Sequence, residues 1–307
     1  MPALLKYTVM GITRPHARPH ILLLIDQHHW AFGTLARAIR QHLSDHFAFT
    51  IAAVKDRPLI DDTQFDILHV FFEAETYHHR FLTGHAKVVK GVYSHKWEKE
   101  RGLSAQELYH HYLREAHAIV IPNTKLLHSL AEIPPPVYLI PEGVDTDVFI
   151  PTSHRSGPLK VGWAGKPNRD IKRLPWLQQA CEGLCELSLA TGDLTQEDMV
   201  HFYNTIDIIA CSSEAEGSPR PLIEGMACGA FPVSFDVGIA RELIDSEVNG
   251  LLIEEESVRS LRKALQWCKS HTEYIRSTAG KNVELMRATR SWQSTLPRLA
   301  EVYSSLL

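Results

Sequence analysis

Two glutamates, Glu216 and Glu224, stand eight positions apart, with Gly217, Ser218 and Pro219 following the first. A carboxylate accepts hydrogen bonds and suits sugar hydroxyls, but it repels phosphate. The peptide between them has the opposite preference. Ser218 is a good N-cap and Pro219 suits the first helical position, so a helix is expected to start here and end at Gly229. Such a helix end presents free N–H groups and binds anions, phosphate above all. Glu224 would then lie about 7–8 Å along the helix from Pro219. Hydroxyl acceptors at both ends, with anion-binding amides between them, suit a nucleoside diphosphate sugar.

The elements that must position these residues alternate between apolar runs and helical patterns. Strands are expected at Lys6 to Ile12, Ile21 to Ile25, Phe47 to Val54, Phe65 to Phe71, Lys87 to Tyr93, Ala118 to Ile121 and Val137 to Ile140. Helices are expected from about Trp30 to Leu43 and from the cap Ser104 to about His117. A second series has strands at Leu159 to Gly165, Leu187 to Ala190, Ile206 to Ala210, Phe231 to Val233 and Leu251 to Ile253. Its helices lie near Trp176 to Leu184, after Thr195, and from Ser257 and Glu273. This alternation implies an α/β chain with parallel sheets and helices on both faces. The polar stretch Pro151 to Pro158 separates the series, giving domains at 1–152 and 153–290 and a terminal helix at 291–307.

Composition narrows the class. An apolar share of 44%, a charged share of 22% and a length of 307 residues are those of an ordinary soluble protein of about two domains. A net charge of −4 gives no basic footprint for nucleic acid. The longest apolar runs are too short to span a bilayer, and the first twenty residues lack the apolar core of a signal peptide. Five cysteines at irregular spacing, with no CxxC pair, suit a reduced cytoplasmic protein. Cys181 and Cys185 are four apart on an expected helix, where such thiols are ordinarily filler. The pairs His28-His29, His78-His79 and His110-His111 point their side chains apart and do not chelate one ion, so no metal site is expected.

The stretch CSSEAEGSPRPLIEGMACGAFPV resembles the donor-binding signature of the GT-B glycosyltransferases, in particular the large retaining family 4. That signature reads roughly pS-x-x-E-G-x-P-x-P-l-x-E-A-M-A-C-G-x-P-V. VYLIPEGVDTDVFIP resembles the segment closing the first domain of that family, with Glu142 in place of the common asparagine. SWQSTLPRLAEVYSSLL resembles its terminal helix, which crosses back onto the first domain. The resemblance implies a GT-B fold: two Rossmann-like domains with parallel sheets facing a central cleft.

The resemblance also assigns roles. VGWAGKPNRDIKRL matches the family's basic loop, with Lys172 at the lysine position and Lys166 and Arg169 as further cations. Fixed cations there stabilise the charge that a leaving diphosphate gains. A merely solvated basic loop is the simpler reading, and on it Lys172 is an exposed loop lysine. The family glycine after the lysine is Arg173 here, which implies a different loop path. His95 stands where the family places a histidine against the donor sugar, able to donate to a hydroxyl or carry a proton. His69 corresponds to a commonly polar strand-end position. HHWAFGTLARAI departs from the family's glycine pair, keeping Gly33 beside Trp30 and Phe32, two aromatics expected to anchor the core.

On this resemblance Glu216 holds hexose hydroxyls, Glu224 the ribose hydroxyls, and the amides of Gly217 and Ser218 the diphosphate. The implied reaction transfers a sugar with retention from a UDP- or GDP-linked donor, without metal or resident cofactor, to a hydroxyl acceptor. Polysaccharide, glycolipid and natural-product acceptors all fit, and a lipid-linked one would bring the protein to the inner face of the membrane. A glycosidase also uses two carboxylates but has no phosphate to bind. A non-catalytic carbohydrate-binding or partner subunit on the same fold would also suit these residues, as would, less well, a nucleotide-sugar epimerase.

Overall fold

The computed structural model describes residues 9–10, 18–29, 31–71, 84–152, 154–192 and 194–307. The chain forms two compact units, Met1–Pro141 with Thr295–Leu307 and Glu142–Ser294.

In the first unit the described elements are β1 (Val9–Met10), β2 (His20–Ile25), α1 (Ala31–Leu43), β3 (Ala48–Ala53), β4 (Leu59–Ile60), β5 (Ile67–Val70) and β6 (Lys87–Gly91). They continue with α2 (Lys96–Lys99), α3 (Ala105–Leu108), β7 (Ala118–Ile121), α4 (Thr124–Ser129) and β8 (Val137–Leu139). Six strands form a sheet in the order β3-β2-β5-β6-β7-β8, and every pairing is parallel. Interior strand β2 carries the continuous apolar run Ile21 to Ile25, all buried, as expected of a parallel strand covered on both faces. Of the strand expected at Lys6 to Ile12, the described part is β1, which pairs with β4 outside this sheet.

Local chemistry explains most boundaries. Ser104 caps α3 through a reciprocal box with Glu107. The helix does not reach His117, however. It widens into a π turn at Tyr109–Leu113, where the fully buried Lys90 donates to the Tyr112 carbonyl across 2.7 Å. A side-chain donor in the carbonyl ladder is a known cause of such a break. The short helix α4 was not expected; Asn123 caps it by accepting from the Leu126 amide at 2.8 Å. Trp30 lies outside the described residues. Phe32 is half-buried, with ring centroids 5.1 Å from Tyr93 and 5.9 Å from Phe71. Gly33 is needed for packing, since a Cβ there would collide with the His28 carbonyl.

The second unit contains β9 (Lys160–Ala164), α5 (Leu174–Cys181), β10 (Glu186–Ala190), α6 (Gln196–Thr205), β11 (Ile208–Cys211), α7 (Arg220–Ala227) and β12 (Phe231–Phe235). It continues with α8 (Ala240–Leu243), β13 (Leu251–Ile253), α9 (Val258–Ser270), α10 (Thr272–Ser277), α11 (Ala279–Arg290) and the start of α12 (Trp292–Leu306). Its five parallel strands run β10-β9-β11-β12-β13. Strand order reverses between β9 and β11. In such sheets the ends of the two strands flanking the reversal diverge and leave a crevice for ligands.

From Thr295 onward α12 belongs to the first unit. It buries Leu296, Leu299, Val302 and Tyr303. The Tyr303 ring meets Phe47 edge-on at 5.6 Å, and its hydroxyl lies 2.6 Å from Nδ1 of His69. His69 is therefore a fully buried core residue rather than a polar strand end. Among the described residues no helix is long and apolar enough to cross a membrane.

Candidate functional site

The crevice position of the second sheet is built from the loops after β9 and β11. The β9 loop ends in one 3-10 turn, Asp170–Lys172, and the β11 loop runs from Ser212 to Pro219. Two hydrogen bonds stitch them together. The Ser212 hydroxyl donates to the Lys172 carbonyl at 2.9 Å, and the Glu214 amide donates to the Ile171 carbonyl at 2.9 Å. Across this seam the Lys172 ammonium pairs with Oε1 of Glu216, which also accepts from the Ser213 hydroxyl at 2.7 Å. Both contacts fall on Oε1, leaving Oε2 without a partner among the described residues. Lys172 and Glu216 line one pocket together with Trp163, Ser213, Pro219 and Leu222.

Lys172 is no solvated loop lysine: its side chain is 17% exposed and that of Glu216 14%. Lys166 is exposed and Arg169 half-buried at the start of the 3-10 turn. They share the loop with Lys172 without joining the pair. The next residue, Arg173, takes left-handed backbone with φ of 48°, a conformation glycine adopts without strain. It is held there by ion pairs to Glu214, at 3.2 Å, and to Glu256, and by its guanidinium 4.5 Å above the Trp176 ring.

Helix α7 begins one residue later than expected, with Pro219 as the cap and Pro221 in the first turn. The Ser218 hydroxyl does not cap it and is buried without a hydrogen-bond partner. Two prolines remove two amides from the helix start, where the remaining backbone N–H groups are those of Gly217, Ser218 and Arg220. Gly238, in the loop after β12, presses on this segment. Its φ is 51°, and a Cβ would collide with the Gly217 carbonyl. The backbone bearing Glu216 and Gly217 is thus fixed from behind.

Glu224 lies one turn into α7 and is 8% exposed. Its Oε1 accepts from Arg220 at 2.8 Å and its Oε2 from the Tyr203 hydroxyl at 2.9 Å. Burial works against the Arg220 charge, but Glu224 and then Glu142 outweigh it and hold its pKa above the usual value. One guanidinium nitrogen, Nη1, is buried with no hydrogen-bond partner among the described residues. Burial and then Glu224 push the Tyr203 hydroxyl well above its ordinary pKa, so it stays a donor.

Glu142 completes a group of three carboxyls. It is 8% exposed, and burial raises its pKa from 4.5 to about 7, opposed by Arg220 and reinforced by Glu224 and Glu216. Its carboxyl therefore titrates near neutrality instead of carrying a fixed negative charge. Arg220, Tyr203, Ser213 and the burial of Glu142 were not anticipated from the sequence. The i,i+4 spacing of Arg220 and Glu224 was the one signal available.

His95 lies in the first unit, at the N-terminus of α2. It is half-buried, with Nε2 3.1 Å from the Ser129 hydroxyl. Burial lowers its pKa against the pull of Glu98, so the imidazole is neutral at physiological pH. Among the described residues no three His, Cys, Asp or Glu side chains are grouped to hold a metal ion.

Solved structures show what architecture this is. HepE of Anabaena, crystallised with UDP and glucose, superposes with a TM-score of 0.72 at 13% identity, over 94% of this chain and 100% of that one. Sucrose-phosphate synthase of Thermosynechococcus elongatus gives 0.74 at 13% identity, over 94% and 99%. The fold is GT-B.

At sequence level, the family Glycosyl transferases group 1 matches residues 184–283, which include Glu216, Gly217, Ser218 and Glu224. An uncharacterised glycosyltransferase of Methanocaldococcus jannaschii is 26% identical over 115 residues, 38% of this chain and 32% of that protein. A D-inositol 3-phosphate glycosyltransferase of Saccharomonospora viridis is 27% identical over 107 residues, 35% of this chain and 25% of that protein. The matched segments thus span about a third or less of either relative.

Proposed function

We propose that this GT-B chain is a retaining glycosyltransferase that moves a sugar from a nucleoside diphosphate sugar to a hydroxyl acceptor. The observation that carries this is the Lys172–Glu216 pair at the crevice of the second sheet, one loop turn from the Gly217–Ser218 backbone and the start of α7. A cation beside a hydroxyl-binding carboxylate and next to anion-binding amides matches a sugar joined to a diphosphate.

In this assignment Glu216 Oε2 receives a sugar hydroxyl while Lys172 holds Oε1. As the glycosidic bond breaks, Lys172 stabilises the charge gathering on the leaving diphosphate. Lys166 and Arg169 supply further positive charge, the Gly217 and Ser218 amides take phosphate oxygens, and Glu224 takes the ribose. His95 is assigned from the resemblance alone; as a neutral imidazole it can donate to a sugar hydroxyl. The UDP in the HepE crystals supports a uridine donor. The acceptor is a hydroxyl of a glycan, lipid-linked sugar or natural product.

Nucleoside diphosphates are expected to bind without acceptor and without divalent metal. UDP at about a hundredfold over its Kd would stabilise the protein by about 2.7 kcal/mol, readable as a thermal shift in chelator. Absence of any shift with UDP, GDP or their sugar conjugates at millimolar concentration would overturn the donor site. A shift that needs Mg²⁺ would overturn metal independence alone.

A further inference from the structure

The sequence places Cys181 and Cys185 at a spacing that the proposed sugar transfer does not use. Both are free thiols in the second unit. Cys181 is the last residue of α5 and is 3% exposed; Cys185 follows one turn later and is half-buried. The Cys185 amide donates to the Cys181 carbonyl at 3.2 Å, closing a five-residue turn through Gly183 at φ 65°. Such a turn holds its end Cα atoms about 6 Å apart, within the range a disulfide spans.

Two cations of α9 clamp the same turn. Arg262 donates to the carbonyls of Ala180, at 3.1 Å, and Glu182, at 2.8 Å; Lys269 donates to that of Leu184 at 2.6 Å. Neither forms an ion pair with a carboxylate among the described residues. The turn is therefore small and partly open: Arg262 and Lys269 hold its carbonyls, Glu182 and Glu186 are exposed beside it, and a second thiol follows the first.

We propose that Cys181 and Cys185 are a reversible oxidation site that peroxide closes to a disulfide. Cys185 attacks as thiolate: it takes an oxygen from the peroxide, breaking the O–O bond, and hydroxide leaves. The Cys181 sulfur then displaces the hydroxyl of the Cys185 sulfenic acid, and its proton departs with that hydroxyl as water. In all, two thiols lose two electrons, and one peroxide becomes two waters.

Exposure divides the roles, since Cys185 is half-buried and within reach of peroxide whereas Cys181 is 3% exposed. A hydrogen bond from Cys181, with Lys269 and Arg262 nearby, draws Cys185 below the ordinary thiol range against its burial. The same hydrogen bond and burial push Cys181 up. Burial also raises Cys211, Cys228 and Cys268, which leaves those three inert.

Peptide mapping tests this on the whole chain. The native protein is treated with hydrogen peroxide, and remaining thiols are alkylated after denaturation. A glutamate-specific protease then cuts after Glu182, between the two cysteines. The expected product is the Cys181 and Cys185 peptides joined, about 2 Da lighter than the two reduced peptides and separated by dithiothreitol. In Cys181→Ser, dimedone should trap Cys185 as sulfenic acid. In the untreated protein, iodoacetamide should label Cys185 about tenfold faster than any other cysteine. A Cys185–Cys268 link overturns the pairing. Cys185 sulfinic acid beside a free Cys181 thiol, or five unmodified thiols, overturns the site.

Discussion

The Tyr203 hydroxyl donates to Oε2 of Glu224 at 2.9 Å, while Arg220 holds Oε1 at 2.8 Å. Both oxygens of the carboxylate assigned to the ribose are thus oriented before any ligand arrives. A diol can still bind, since each oxygen has a second lone pair. Glu224→Ala would remove those acceptors and also strand the Arg220 charge. It is expected to lower the unfolding free energy by about 3 kcal/mol, measured by denaturant titration.

Glu224→Gln separates binding from folding, because the amide oxygen still accepts one of the two bonds. We expect a stability loss of about 1 kcal/mol and roughly tenfold weaker UDP binding by calorimetry. Glu216→Gln should leave UDP affinity within about twofold and lower the transfer rate by about tenfold or more. Equal weakening of bare UDP by both changes would refute the division of labour.

Lys172→Ala removes the cation paired with Glu216. Turnover should fall by about a hundredfold or more. Because the pair is mostly buried, stability should fall as well, by about 1–3 kcal/mol. Lys166→Ala and Arg169→Ala should act chiefly on KM. Initial rates across donor concentration decide, and normal turnover in Lys172→Ala would exclude it as the leaving-group cation.

Glu142 gives the second unit a pH signature. Its folded pKa of about 7 exceeds the ordinary 4.5, so between these values the native state holds a proton that the unfolded chain has lost. Stability from this group is full below about pH 4.5, falls as pH rises, and is lost above about 7. Glu142→Gln should therefore gain about 1–3 kcal/mol relative to the parent at pH 8 and nothing at pH 4. Parallel stability curves for the two proteins would show that the carboxyl is solvated.

His69 has the opposite sign. Burial lowers its pKa from 6.5 to about 3, so acid protonates the unfolded chain first. Its contribution is full above about pH 6.5 and declines as pH falls toward 3. Tyr303→Phe removes the bonded partner of Nδ1 and leaves both ring nitrogens unpaired, since Nε2 has none already. A loss of about 1–3 kcal/mol at pH 7 is expected by denaturant titration. An unchanged midpoint would mean that another group takes the bond.

What the sequence made legible was local or strictly periodic. The Ser104 and Thr195 capping boxes are i,i+3 relations, and both form. The run Ile21 to Ile25 reads as a buried strand because only a strand covered on both faces has use for unbroken apolar residues. The start of α7 lies one residue from its expected place: Pro219, read as the first helical residue, is extended and takes the cap position expected of Ser218. Tyr203 reaches Glu224 across 21 positions, and Lys90 breaks a helix 22 positions ahead. Such contacts depend on how strands stack and carry no local pattern. The burial of Glu142 is of the same kind: the residue type alone reads as an added negative charge, and only tertiary packing encloses it.

The division of α12 between units has a temporal meaning. Residues 295–307, which cover Phe47 and His69 with Tyr303, are synthesised only after all of the second unit. At about 5–20 residues per second, the nascent first sheet waits on the order of ten seconds with that apolar face uncovered. The first unit to leave the ribosome is the second to be finished.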